Sequence, residues 1–101
     1  MLLFEIYRDS KGGIRCQFEL GPGDPAKREA VFQAFQNGGV DVGGKWALAA
    51  KWRQLSSKTL YTPKEDDSVE EAFDRVVTGA AQFLQSQVPR YDEAAKPLFG
   101  A

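Results

Sequence analysis

Two seven-residue stretches that alternate apolar and polar side chains constrain the fold of this chain more than any other feature. Residues 2–8 read LLFEIYR and residues 14–20 read IRCQFEL. Because successive side chains of a strand point to opposite faces, each stretch predicts a strand with one buried face. The linking residues DSKGG suit a short loop, so the pair predicts an antiparallel β-hairpin. The side chains expected on its buried face are Leu2, Phe4, Ile6, Ile14, Cys16, Phe18 and Leu20.

A first helix is predicted over residues 25–37. Asp24 precedes it as an amino-terminal cap, and Pro25 suits the first helical position. The letters NGG at its end predict termination in the left-handed region of backbone space. We expect this helix to lie across the hairpin through one apolar face, formed by Val31, Phe32 and Phe35.

A second, longer helix is predicted over residues 68–88. Ser68, with a glutamate three residues later, forms a capping pattern. Gly79 lowers the helix propensity by about 1 kcal/mol relative to alanine, which favours a close approach of another element there. Pro89 is expected to end the helix, and residues 90–99 then predict a short terminal helix. The apolar stripe of the long helix comprises Val69, Phe73, Val76, Val77, Ala80, Leu84 and Val88.

The stretch GGKWALAAKWRQLSSK, residues 43–58, fits two secondary structures. In a strand, Trp46 and Trp52 share one face and Arg53 lies on the other, because the two tryptophans are six positions apart. In a helix the same spacing rotates the tryptophans by roughly 240°, although an apolar i, i+4, i+7 stripe survives. The preceding glycines favour the strand, and the helix stays open as the alternative.

These elements together predict a single α+β domain over residues 1–101. Its expected order is an N-terminal antiparallel β-hairpin, a helix, one or two further strands, a long C-terminal helix and a short terminal helix. The helices are expected on one face of the sheet. A chain of 101 residues is too short for two such domains.

The same stretch begins a segment in which basic and aromatic residues are interleaved. Residues 42–64 hold five basic residues and no acidic one, although the whole chain has a net charge of -1. Such a mixture can neutralise phosphates while stacking bases. The simpler explanation is that the tryptophans belong to the core and the bases solvate the outer side of a sheet. The candidate partner-binding residues are Lys45, Trp46, Lys51, Trp52, Arg53, Lys58 and Tyr61.

The composition argues against several kinds of catalytic site. The chain has no histidine and a single cysteine, Cys16. Nucleophile pairs that depend on histidine are therefore excluded, and so are zinc sites built from cysteine and histidine. The six acidic residues within residues 65–74 could attract Mg²⁺, but their position at a helix start is explained by the helix dipole. We therefore predict no enzyme activity, no catalytic residue, no metal and no cofactor.

The compartment expected from the sequence is the cytoplasm. Glu5, Arg8 and Asp9 interrupt the opening apolar run, which argues against a signal peptide. No apolar run approaches the ~18 residues that cross a bilayer. A lone cysteine that cannot form an intrachain disulfide is consistent with a reducing environment.

Residues 51–96, KWRQLSSKTLYTPKEDDSVEEAFDRVVTGAAQFLQSQVPRYDEAAK, resemble the carboxy-terminal region of some PD-(D/E)XK-type nuclease-like proteins. Those regions also close with a strand, a TL step, an acidic helix start and a VPxxDxA ending. The resemblance implies an accessory portion of such a protein, with a history near restriction or mobile-element biology. It implies no nuclease activity. The family signature needs an acidic residue, and then an acid and a lysine separated by one position on a neighbouring strand. Here Tyr7 stands two positions after Glu5, and Gly21 stands two positions after Glu19.

The function expected from these features is contact with another macromolecule. We predict a small non-enzymatic interaction protein that binds a protein or nucleoprotein partner, of the kind that includes phage or mobile-element inhibitors of bacterial defence systems. The alternative is a nucleic-acid-binding domain that uses the basic aromatic segment 45–61. An exposed edge strand of the hairpin would also allow a homodimer.

Overall fold

The computed structural model describes residues 2–42, 52–64 and 66–99. The elements are, in chain order, β1 Leu2–Arg8, β2 Ile14–Leu20, α1 Pro25–Asn37, β3 Arg53–Tyr61, α2 Val69–Ala95 and a terminal 3₁₀ helix, Lys96–Phe99. The three strands form one antiparallel sheet in the order β1-β2-β3, with the helices packed on it. The predicted α+β class and order of elements are therefore confirmed.

The amino-terminal hairpin is antiparallel, as predicted. Leu2 pairs with Leu20 at one end of the hairpin and Arg8 pairs with Ile14 at the other. The Asp9 carboxylate accepts hydrogen bonds from two backbone N–H groups of the loop, at 2.8 and 2.9 Å. Gly12 closes the loop with a φ of 81°, a conformation that side chains disfavour. A local network thus holds the turn.

The buried face of the hairpin is less covered than the alternation predicts. Cys16, Phe18 and Leu20 of the central strand β2 are buried, as expected. Leu2 and Ile6 point to the same face, but both side chains remain exposed. The reason is that β1 is an edge strand and α2 packs chiefly against β3, at the other edge.

A bulge in β3 determines which of its side chains reach the core. The pairing of β2 with β3 shifts register between Gln17 and Glu19. Two consecutive residues, Leu55 and Ser56, are consequently both buried where a regular strand would bury one. The bulge brings the Ser56 backbone N–H to the Tyr91 hydroxyl of α2, to which it donates a hydrogen bond at 3.3 Å.

Aromatic rings from three elements form the centre of the core. The Tyr91 ring lies 4.5 Å from the Phe18 ring and 4.9 Å from the Phe35 ring, measured between centroids. Phe83 contacts Phe18 at 5.8 Å. Both α1 and the second half of α2 therefore attach to the sheet through one aromatic cluster, and the predicted apolar face of α1 is confirmed by buried Phe32 and Phe35.

Both helix starts follow the predicted capping. The Asp24 carboxylate accepts a hydrogen bond from the Lys27 N–H at 3.0 Å, with Pro25 at the first position of α1. The Ser68 hydroxyl accepts one from the Glu71 N–H at 3.1 Å. These bonds satisfy donors that a helix start otherwise leaves without partners.

The predicted end of α2 at Pro89 is wrong, because the helix continues to Ala95. A proline inside a helix removes one backbone hydrogen bond and costs about 3 kcal/mol. Tyr91 and Ala94, which lie beyond it, are buried. Burying a large side chain and its neighbours offsets a cost of that size. Only the 3₁₀ helix remains separate at the carboxyl end.

Gly38 follows α1 where that helix meets the end of α2. A methyl group at this position would lie 2.4 Å from the Ala94 Cβ and 2.8 Å from its Cα. No side-chain rotation relieves these contacts, because one of the atoms belongs to the backbone. The two helices can approach this closely only if position 38 has no side chain.

We therefore expect Gly38→Ala to destabilise the protein by about 1–3 kcal/mol through overpacking. Thermal unfolding followed by circular dichroism should show a melting temperature lowered by roughly 5–15 °C. Gly23→Ala is the matched control, since its added methyl group would meet only the Arg28 Cγ, at 3.9 Å. An unchanged melting temperature for Gly38→Ala would contradict the contact between α1 and α2.

Candidate functional site

The predicted basic aromatic segment is only partly covered by the structure. Lys45, Trp46 and Lys51 lie outside the described residues, as does the choice between strand and helix for residues 43–51. Among the described residues, β3 begins at Arg53, which confirms the strand for the second part of the stretch.

Two of the predicted partner-binding residues have exposed side chains. Trp52 immediately precedes β3, and 49% of its surface is accessible. Lys58 is exposed on the same strand and pairs with Cys16 of β2. Five strand residues lie between the two, which places them about 20 Å apart. Trp52 is therefore on the surface, contrary to the interpretation that assigns it to the core.

The strand interpretation places Arg53 among the exposed bases, on the face opposite the tryptophans. That placement is wrong, because Arg53 is buried. Arg53 pairs with Leu20 and so shares its buried face, where only 5% of its surface is accessible. Its guanidinium group lies 3.5 Å from the centroid of the Phe32 ring, a cation–π contact with α1. Burial lowers the pKa of the Arg53 side chain. This residue fastens α1 to the sheet edge and is not available to a partner.

Tyr61 also has an internal role. Its hydroxyl donates a hydrogen bond to the Asp67 carboxylate at 2.9 Å, and Arg75 pairs with the same oxygen at 3.4 Å. Burial and the bond to Asp67 raise the pKa of Tyr61. These contacts join the end of β3 to the start of α2. Among the described candidate residues, Trp52 and Lys58 are therefore exposed, whereas Arg53 and Tyr61 make contacts within the protein.

A second candidate surface lies on the first half of α2. Val69, Phe73 and Val77 expose 86%, 69% and 49% of their surfaces, and we call these three residues the α2 stripe. The buried residues of α2 are Ala80, Phe83, Tyr91 and Ala94, all in the second part of the helix. The stripe continues the core-facing side of α2 beyond the residues that the sheet covers.

The apolar periodicity of the sequence predicts this stripe, but it also predicts that the stripe is buried in the core. Spacing at i, i+4 and i+8 predicts an apolar helix face, and that face exists. The expectation that it is buried along its whole length is wrong, because the contact with the sheet begins near Gly79. A methyl group there would lie 3.1 Å from the Leu60 Cδ2, which confirms the predicted close approach.

The face of the sheet opposite the helices carries polar residues. Arg15 donates hydrogen bonds to the hydroxyls of Thr59 and Ser57 across the β2–β3 pair. On the β1 side, the hydrogen bond with Glu19 and, secondarily, burial raise the pKa of Glu5. Glu19 itself is buried and accepts a hydrogen bond from the Gln17 amide. This network is a pH-sensitive feature of the sheet.

Acidic side chains and the Cys16 thiol are among the metal-ligand types in residues 2–42, 52–64 and 66–99. Those residues contain no group of three or more cysteine, aspartate or glutamate side chains arranged to hold a metal ion. Cys16 is fully buried, and burial raises the pKa of its thiol. Among the described helices, none combines the length and the apolar character needed to cross a membrane.

No family model, curated protein or solved structure matches this chain. The resemblance of residues 51–96 to PD-(D/E)XK-type nuclease-like proteins therefore stays a prediction. The two candidate surfaces are therefore identified from the exposure and position of their residues alone.

The carboxyl pair of Glu5 and Glu19 generates a prediction about stability and pH. The pKa of Glu5 in the folded state is raised above its ordinary value of 4.5, so the folded state retains a proton that the unfolded state releases. Stability attributable to Glu5 is therefore present at low pH and is lost as the pH rises through the raised pKa.

We expect Glu5→Gln to raise the melting temperature at pH 7, because the amide removes a charge beside Glu19. Melting curves at pH 4, where the Glu5 carboxyl is largely protonated in both states, should show a much smaller difference between variant and wild type. A difference that is equal at the two pH values would argue against the shared proton.

Proposed function

We propose that this protein is a small non-enzymatic interaction protein and that the α2 stripe is the surface that contacts its protein partner. The observation that carries the proposal is the exposure of Val69, Phe73 and Val77 along one face of a well-capped helix. Clustered exposed apolar side chains are typical of interaction sites in otherwise stable domains. A helix face with i, i+4, i+8 anchors is also the usual form of helix-mediated recognition.

The energetics support Phe73 as the principal contact. It is the middle residue of the α2 stripe, and burying one phenylalanine side chain contributes about 1.5–3 kcal/mol. Aromatic residues at the centre of an interface commonly dominate the binding energy. Val69 and Val77 lie one turn to either side, where they would exclude water from the contact.

The anchoring of α2 supports the same role. The second half of the helix is fixed by Tyr91, Phe83 and the bulge in β3. Near its start, Asp67 just before α2 binds both Tyr61 at the end of β3 and Arg75 of the helix. A helix fixed at both places presents the stripe in a defined orientation. Less entropy is then lost on binding than for a freely moving segment.

We expect Phe73→Glu to remove partner binding without unfolding the protein. Tagged wild-type and variant proteins are used as bait in a bacterial lysate, because inhibitors of bacterial defence systems are one kind of the interaction protein proposed. Capture of a specific partner should fall by roughly tenfold or more, which corresponds to the loss of a hot-spot aromatic. Captured proteins are quantified by mass spectrometry, and circular dichroism checks the fold of each bait.

Gln82→Glu is the matched control, since it adds the same charge to an exposed position on the side of α2 opposite Phe73. Its capture profile should equal that of the wild type. A partner captured equally by wild type and Phe73→Glu would exclude the α2 stripe as the contact surface. A wild-type bait that captures nothing above background would count against the function itself.

A second candidate function, binding of single-stranded nucleic acid, is supported by the exposed ring of Trp52, just before β3, and by the exposed Lys58 of β3. An exposed aromatic ring can stack on a base, and a lysine further along the surface can contact a phosphate of the same nucleic-acid strand. The burial of Arg53 and the internal bonds of Tyr61 leave fewer groups for this role than the sequence predicts.

If nucleic acid is the ligand, a single-stranded oligonucleotide should quench tryptophan fluorescence at low salt, and the affinity should fall steeply as salt is added. Trp52→Phe should remove the quenching contributed by Trp52, and Lys58→Gln should weaken binding and reduce the salt dependence. Lys27→Gln, in an exposed position of α1, is the control. Unchanged wild-type fluorescence at low salt would rule out this function.

A further inference from the structure

We infer that the occupant of the α2 stripe is a basic amphipathic helix of another protein. This inference rests on the proposed function and adds the chemical character of the partner. It follows from the acidic residues beside the stripe and from the direction that the stripe faces. The residues concerned are Val69, Glu70, Phe73, Asp74 and Val77.

The acidic residues lie along one edge of the stripe. A helix turns by about 100° per residue, so Val69, Phe73 and Val77 occupy an arc of roughly 80°. Glu70 and Asp74 follow directly beside that arc, at about 100° and 140° from Val69. Both line an open depression together with Val69 and Phe73. A partner helix lying on the stripe would therefore run alongside two carboxylates.

These carboxylates are available for ion pairs with a partner. Glu70 and Asp74 are exposed, and neither has a cationic partner within the described residues. Arg75, the nearest base in sequence, pairs with Asp67. Glu70 stabilises the helix start through the dipole whatever the partner is. Asp74 lies in the second turn, where that effect has faded, and extends the negative edge along the stripe.

The geometry of α2 makes a second copy of the chain a poor occupant. The stripe faces the same side of α2 as the buried residues Ala80 and Phe83, which contact the sheet. Two copies packed in parallel would therefore bring their sheets into collision. In an antiparallel pair related by a two-fold axis, each edge of one helix faces the equivalent edge of the other. Glu70 and Asp74 would then meet carboxylates, a like-charge contact that disfavours association.

Negative charge beside the stripe also disfavours nucleic acid and anionic membranes at this surface. Both carry phosphates that the Glu70 and Asp74 carboxylates would repel. A helix with an apolar face and flanking lysine or arginine residues satisfies the stripe and its edge together. Its apolar residues would cover Phe73, and its basic residues would pair with the carboxylates.

Three designed peptides test this charge preference directly. Each has the same leucine stripe at alternating three- and four-residue spacing, with lysine, glutamine or glutamate at the remaining positions. Binding of each fluorescein-labelled peptide to the full-length protein is measured by fluorescence anisotropy. We expect the lysine peptide to bind roughly tenfold more tightly than the glutamine peptide, since several surface ion pairs act together. The glutamate peptide should bind most weakly, and added salt should reduce the differences.

Variants of the protein separate the apolar contribution from the charge contribution. Phe73→Glu should abolish binding of the lysine and glutamine peptides. The double variant Glu70→Lys with Asp74→Lys should reverse the order, so that the glutamate peptide binds better than the lysine peptide. Asp92→Lys, at an exposed position near the other end of α2, is the charge control and should preserve the wild-type order.

The outcomes distinguish this inference from the proposed function. Equal binding of all three peptides, lost in Phe73→Glu, would support the stripe as a docking surface and overturn the basic character of its partner. If none of the peptides binds but a partner is captured from the lysate through Phe73, the stripe is again supported as a docking surface and the basic helix is overturned as its occupant. Self-association in sedimentation equilibrium that Phe73→Glu removes would assign the stripe to a second copy. Phe73-dependent binding to phosphatidylglycerol vesicles would assign it to a membrane surface, and either result overturns the inference.

Discussion

The packing of Tyr91 is the contact on which the rest of this structure depends. Its ring lies against Phe18 of the central strand and Phe35 of α1, and its hydroxyl accepts a hydrogen bond from the backbone of Ser56. One side chain of α2 therefore contacts the sheet, the bulge in β3 and the other helix. Tyr91 lies beyond Pro89, so its burial also accounts for a helix that continues through a residue that usually ends one.

Attachment through the second half of α2 has a consequence for the first half. A helix of 27 residues is about 40 Å long, longer than the sheet that it covers. The molecule accordingly measures 50 × 27 × 18 Å, an elongated shape for a chain of this length. The apolar face of α2 continues past the sheet as the α2 stripe, of which Phe73 is the centre. The same attachment that fixes the second half of α2 on the sheet thus leaves the apolar side chains of its first half exposed.

The charges along α2 and β3 give the two candidate surfaces different chemistry. Glu70 and Asp74 border the α2 stripe, whereas Trp52 directly precedes β3 and Lys58 lies on β3, both within the basic part of the chain. The charge of the sequence changes abruptly from basic in residues 42–64 to acidic in residues 65–74. In the fold, the described part of the basic segment contains β3, and the acidic segment contains the start of α2. The proposed contact function through α2 rests on the exposed apolar side chains of the stripe, and the proposed basic character of the partner rests on the two carboxylates beside it.

Local patterns in the sequence determined the hairpin, both helix starts and the class of the fold, because alternation and capping depend on neighbouring residues alone. Tertiary structure decided the rest. Arg53 is buried because its pairing with Leu20 sets which face of β3 it occupies, and no local pattern contains that register. The exposure of Phe73 depends on where the sheet ends beneath α2. Helical periodicity defines an apolar face, but only the contacts of the folded chain decide how much of that face is covered.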